Sequence, residues 1–208
     1  CYNGLYVHKD INKAIELYKY SSYHGNSNAL YKLGMIYLYD ENVPRNVNDA
    51  INYLVKSAAL NNSNSQQQLG IIYYEGKIIK KNINRALSYF LDSAKEENIS
   101  QFYLGVIYYV GKYINRNLSK SVFYFKESSN KKDPYSKNNL GIMIKNGEGF
   151  KKNLLHSIQL LEESININNN EAARFNLAHI YFYENNYAKS IELLVKPSLI
   201  SYEVGFQL

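Results

Sequence analysis

One phrase returns four times along the chain: "LGMIYLY" from Leu33, "LGIIYYE" from Leu69, "LGVIYYV" from Leu104 and "LGIMIKN" from Leu140. The glycines inside it, Gly34, Gly70, Gly105 and Gly141, are spaced 36, 35 and 36 residues apart. A fixed period of this length restricts the chain to a stacked array, in which each unit buries its apolar face against the next. Other columns keep the same phase. Eleven residues after each glycine comes a base (Arg45, Lys81, Arg116, Lys152), then an asparagine (Asn46, Asn82, Asn117, Asn153). A small residue follows four later (Ala50, Ala86, Ser121, Ser157), then a large one (Leu54, Phe90, Phe125, Leu161) and a serine (Ser57, Ser93, Ser128, Ser164).

Each unit reads as two helices. In the first, Leu30, Leu33, Ile36 and Tyr37 share one face at helical spacing. A turn such as "DENVPR" ends it. The asparagine column then supplies the N-cap of the second helix, its side chain accepting a bond from a free backbone N–H. A glycine inside a helix costs about 0.5–1 kcal/mol relative to alanine. The array accepts that cost where two helices must approach closely, so the glycines are predicted to face the Ala50 column or a neighbouring unit. The fold class is therefore all-α, an α-solenoid of antiparallel helix pairs.

The units fall at 27–62, 63–98, 99–132 and 133–169. Residues 1–26 form a partial repeat holding only a second helix, with Asp10 in phase with Asn46. Residues 170–196 form a shorter unit of tetratricopeptide type, where Ala178 takes the glycine position. Residues 197–208 read as the start of a further helix, so the chain is expected to be a piece of a longer array.

Net charge is +6, a mild excess that does not fit a nucleic-acid-binding surface. No apolar run approaches the roughly 18 residues that span a membrane. The single cysteine, Cys1, excludes an internal disulfide. The abundant asparagine, lysine, isoleucine and tyrosine, together with the absence of threonine, reflect a biased genome more than a chemistry.

Catalytic and metal-binding patterns are not evident. His8, His24, His156 and His179 are scattered along the chain without ligand spacing. "NGEGF", Asn146–Phe150, falls on the repeat turn and lacks the remainder of a phosphate loop. Adjacent carboxylates Glu96–Glu97 and Glu162–Glu163 diverge by about 100° on a helix, which does not make an acid/base couple. No cofactor is expected and the chain is not read as an enzyme. Partner contact is assigned instead to the basic column (Arg45, Lys81, Arg116, Lys152) and to Tyr74 and Tyr109, one position beyond the packed tyrosines Tyr73 and Tyr108. Asn61 and Asn98 open glycosylation sequons between units; the sequon at Asn117 coincides with a helix cap and is expected to stay unmodified.

These motifs resemble the Sel1-like repeat family, most closely at "QQQLGIIYYEGKIIKKNINRALSYFLDSA" (Gln66–Ala94) and "NNLGIMIKNGEGFKKNLLHSIQLLEES" (Asn138–Ser164). The resemblance implies a helical scaffold that binds proteins. The string "YENNYAKSIELLVKPSLISYEVGFQL" (Tyr183–Leu208) is similar to the branch that serves ER-associated degradation. That similarity implies an ER-luminal adaptor whose partners are a membrane RING ubiquitin ligase, an ER lectin and misfolded clients. A cytosolic or mitochondrial adaptor of the same family is the alternative.

Overall fold

In a computed structural model of the chain, the described residues are 10–195. They form eleven α-helices and no strand: α1 Ile11–Tyr23, α2 Ser27–Tyr39, α3 Val47–Ala59, α4 Ser63–Glu75, α5 Ile83–Ser93, α6 Asn98–Val110, α7 Leu118–Asn130, α8 Pro134–Asn146, α9 Leu154–Asn168, α10 Glu171–Tyr183 and α11 Tyr187–Val195. The segment 197–208, read from sequence as the start of a helix, lies outside the described residues, as do Cys1 and His8. The described residues divide into two compact units, 10–124 and 125–195, with the division inside α7.

Asparagine or aspartate opens both helices of nearly every pair. Asn46, Asn82, Asn117 and Asn153 accept the backbone N–H of Asp49, Arg85, Lys120 and His156. A second cap column, unread in the sequence, stands before the other helices: Asn26, Asn62, Asp133 and Asn170 accept from Ala29, Ser65, Ser136 and Ala173. Glu97 occupies the equivalent place before α6 and makes no such bond, because its longer side chain bonds Ser63 instead. Each cap satisfies one of the N–H groups that a helix start leaves orphaned.

The turn within a pair is closed by backbone. The N–H of Asn46, Asn82 and Asn117 donates to the carbonyl of Tyr37, Tyr73 and Tyr108 at 3.0, 2.9 and 2.9 Å. Gly34 beside Leu54 and Ser27 beside Ser57 then show that the two helices run antiparallel. The core of residues 10–124 is a continuous cluster containing Leu38, Leu54, Leu69, Ile72, Phe90 and Leu104. That of residues 125–195 centres on Leu161, Ala173, Leu177 and Ile180.

The glycine column packs differently from the expectation that it faces the small residues. A Cβ on Gly34 would lie 2.6 Å from Leu54 Cγ, and one on Gly70 would lie 2.5 Å from Phe90 Cε1. One on Gly141 would lie 3.1 Å from Leu161 Cγ. The large column fills the glycine notch, and the small column contributes its backbone: the carbonyl oxygens of Ala50 and Ser157 come next, at 3.1 and 3.2 Å. Gly105 is buried, and its carbonyl accepts from Ser121 Oγ at 2.9 Å. The small residue brings the two backbones together, and the large residue uses the room so made.

The serine column joins one pair to the next. Ser57 and Ser65 bond at 2.7 Å, and so do Ser93 and Ser100, all four essentially inaccessible to water. Ser164 donates to the carbonyl of Pro134 and accepts from Asn170. Beside the serines, the side-chain amides of Gln66 and Gln101 donate to the carbonyls of Ala58 and Ala94. The interface between pairs is thus partly polar and fully paired at these serines, which pins the register of one pair on the next.

Candidate interaction surface

The bases assigned to partner contact take their place from the turns. Gly76 and Gly111 adopt left-handed φ of +74° and +65°, and a Cβ on either would strike the stem of Lys81 or Arg116 at 2.6 or 2.5 Å. Glycine is therefore required twice over, for conformation and for space. Lys152 lies in the same way over Gly147 in residues 125–195. Arg45 is exposed over a turn opened by Asp40. The basic column carries a structural load at its stems and presents its charge at its ends.

The tyrosines paired with it are less available than the sequence implied. Tyr74 is half-buried, edge-on to Phe90 at 6.5 Å and to Tyr103 at 4.9 Å. The Lys81 ammonium stands 5.2 Å from its ring centre. The Arg116 guanidinium lies 5.1 Å from the ring centre of Tyr109, and its Nε donates to the Tyr109 carbonyl at 2.9 Å. Both rings face cations of their own chain, so they support the charged edge more than they offer bare contact area. Sequence reasoning separated a basic column from a tyrosine column; folding stacks one on the other.

A ladder of tyrosine pairs was not anticipated. Tyr37 stacks on Tyr53, Tyr73 on Tyr89 and Tyr108 on Tyr124, at 5.9, 6.0 and 5.9 Å and within 9° of parallel. Arg85 donates to the Tyr73 hydroxyl at 2.8 Å, and Lys120 stands 5.0 Å from the Tyr108 ring centre. A hydrogen bond with Tyr37 raises the Lys19 ammonium above its ordinary pKa. The signal was present in the sequence: Tyr53, Tyr89 and Tyr124 each fall sixteen residues after the paired tyrosine.

Burial raises the phenols of Tyr31, Tyr39, Tyr74, Tyr89, Tyr103 and Tyr124 above their ordinary pKa. A phenol held protonated by the fold binds its proton more tightly folded than unfolded. Its stability contribution is complete below about pH 10, the unfolded value, and is lost as pH rises through the folded one. Alkaline titration followed by phenolate absorbance should resolve a late class of tyrosines whose ionisation coincides with loss of helical signal. Replacing Tyr74 and Tyr103 by phenylalanine should move that unfolding to higher pH. A single ordinary titration with the helices intact would show that burial does not hold these phenols.

Of the two sequon asparagines, Asn61 is exposed in a left-handed turn at φ 58°. Asn98 begins α6 half-buried, and Ser100 of its sequon is wholly enclosed and bonded to Ser93. Among the described residues no group of three or more His, Cys, Asp or Glu side chains converges to hold a metal ion. No helix there is long and apolar enough to cross a membrane.

Antiparallel helix pairs, four of them carrying a buried glycine at a spacing of 35 or 36 residues, define an α-solenoid repeat protein. The sequence profile of the Sel1 repeat matches residues 1–26, 27–62, 63–98, 99–133 and 134–169, and the chain belongs to the Sel1 repeat family. No curated protein matches it in sequence. Among solved structures it is similar to c5321, described as a protective antigen of uropathogenic Escherichia coli strains with an SLR fold. The two are 25% identical with a TM-score of 0.83, over 92% of this chain and 42% of that one. The chain therefore spans less than half the length of that antigen. A Sel1 repeat protein from Oxalobacter formigenes shares the fold at 22% identity and TM-score 0.78, covering 95% of this chain and 78% of that one. The immunity protein Pa5087 from Pseudomonas aeruginosa is more distant, at 15% identity and TM-score 0.51 over 89% and 75% of the two chains.

Proposed function

We propose that the chain is a non-catalytic scaffold that holds partner proteins on its repeat surface, as an adaptor in ER-associated degradation. The observation that carries the scaffold reading is the periodic display of charged and aromatic side chains at equivalent positions of successive repeats. Lys81 and Arg116 stand over equivalent turns, and the three tyrosine pairs recur in step with them. Repeat arrays of this kind bind through extended surfaces. The adaptor reading is supported by the similarity of the segment Tyr183–Leu208 to that branch of the family. An exposed Asn61 is compatible with a glycan acquired in the ER lumen. In this reading the partners are a membrane RING ubiquitin ligase, an ER lectin and misfolded clients; the alternative is a cytosolic or mitochondrial adaptor.

Tagged full-length protein, purified gently from solubilised membranes, should bring the ligase or lectin with it. Recovery from the soluble fraction with other proteins would leave the scaffold and remove the ER assignment. A protein that purifies alone from both fractions would remove the scaffold as well.

A further inference from the structure

The turns that follow α4 and α6, residues 76–82 and 111–117, contain Lys77, Lys80, Lys81, Lys112 and Arg116 and no carboxylate. Glu75, just before the first turn, pairs with Lys77 at 3.5 Å. The two turns form one surface, because the Lys81 ammonium stands 5.2 Å from the ring centre of Tyr74 and 5.6 Å from that of Tyr113 in the next turn. Lys112 approaches the same Tyr113 ring at 5.5 Å. Between them lies a notch of about 40 Å³, lined by Tyr74, Lys81, Ile83, Val106, Val110 and Tyr113. Val110 and Tyr113, 56% and 55% exposed, stand at its mouth. A notch of that size admits one small aliphatic group and no aromatic ring.

We propose that this edge docks an acidic peptide segment of a partner protein, with one small aliphatic side chain in the notch and flanking carboxylates on Lys80, Lys81 and Lys112. The inference rests on the scaffold reading and gives that reading a partner chemistry. Charge complementarity selects the acidic residues, and the notch selects a peptide over other anions. A planar lipid surface has no group to seat in a recessed apolar notch. Phosphates favour unsatisfied N–H groups at helix starts, yet Asn82 and Asn117 already occupy the N–H of Arg85 and Lys120 at the neighbouring helix starts.

The test is fluorescence anisotropy of the chain with a labelled peptide, Asp-Glu-Val-Glu-Asp-Glu, beside its Asn/Gln counterpart and beside phosphatidylserine-containing vesicles. The acidic peptide should bind and weaken as salt rises, and the neutral one should not. The double variant Lys81→Glu/Lys112→Glu should lose about tenfold or more in affinity. Val110→Glu, a change at an exposed position that leaves the core untouched, should do the same. Lys56→Glu, on α3 and outside the edge, should leave binding unchanged, and thermal melts would establish that each variant is folded. Equal binding of the neutral peptide, affinity unaltered in the edge variants, or vesicle binding without peptide binding would each overturn the proposal. Should the peptide fail while partner proteins still co-purify with the Lys81→Glu/Lys112→Glu variant, the acidic-peptide site falls and the scaffold stands. Should no partner co-purify with the unmodified protein either, the scaffold falls with it.

Discussion

Gly70→Leu is expected to destabilise the protein by about 1–3 kcal/mol or more, lowering the melting temperature by several degrees for a chain of this size. The first side-chain carbon alone would sit 2.5–3.0 Å from three atoms of the Phe90 ring. The ring has no easy retreat: it is fully buried and stacked on Tyr103 at 4.9 Å and 4°. Leucine would have to separate α4 from α5, exposing Leu69 and Ile72 as it did so. Gly70→Ala separates space from propensity, since alanine in an open helix position would stabilise by up to about 1 kcal/mol. A melting temperature raised by Gly70→Ala would show that the notch is empty. Gly141→Ala should cost less than Gly70→Ala, because the nearest atom there, Leu161 Cγ, lies at 3.1 Å, whereas the Phe90 ring comes within 2.5 Å of a Cβ at position 70.

Phe90→Ala should be the more damaging change, costing about 3–5 kcal/mol. Its ring fills the Gly70 notch, meets Tyr74 edge-on and stacks on Tyr103, so one side chain joins three helices, α4, α5 and α6. Truncation removes burial and leaves a cavity that two aromatic neighbours cannot close without leaving their own contacts. The two substitutions should also couple. Leucine at position 70 can enter the space vacated by Phe90, making the double variant more stable than the sum of the single losses by about 0.5–3 kcal/mol. Denaturant unfolding of all four proteins measures this. Strict additivity would show that Gly70 and Phe90 do not share one packing site.

Periodicity made the architecture legible because a repeat protein states its fold several times. A column of glycine every 35 or 36 residues, with asparagine twelve later, marks helix, turn and helix without any long-range information. The cap column before α3, α5, α7 and α9 was readable for the same reason: a helix start leaves a backbone N–H to satisfy, and Asn46 and its equivalents stand where that need arises. The second cap column was missed because Asn26, Asn62, Glu97, Asp133 and Asn170 change identity down the column. The buried bonds of Ser57 with Ser65 and Ser93 with Ser100 were also hidden. A serine column in a serine-rich chain does not reveal its partner, eight or seven residues away across a helix junction.

By itself, then, the sequence determined the repeat, its period, the alternation of helix and turn, and the positions where backbone had to be capped or brought close. All of these follow from local stereochemistry and spacing along a single chain. Tertiary structure alone decided that Phe90 and Leu54, not the small residues, fill the glycine notches. It also decided that Lys81 and Arg116 lie against tyrosine rings, and that two turns 35 residues apart share one basic, notched edge. Those outcomes depend on which side chains from different repeats converge in space, and convergence is set by packing between helices, which no single period encodes.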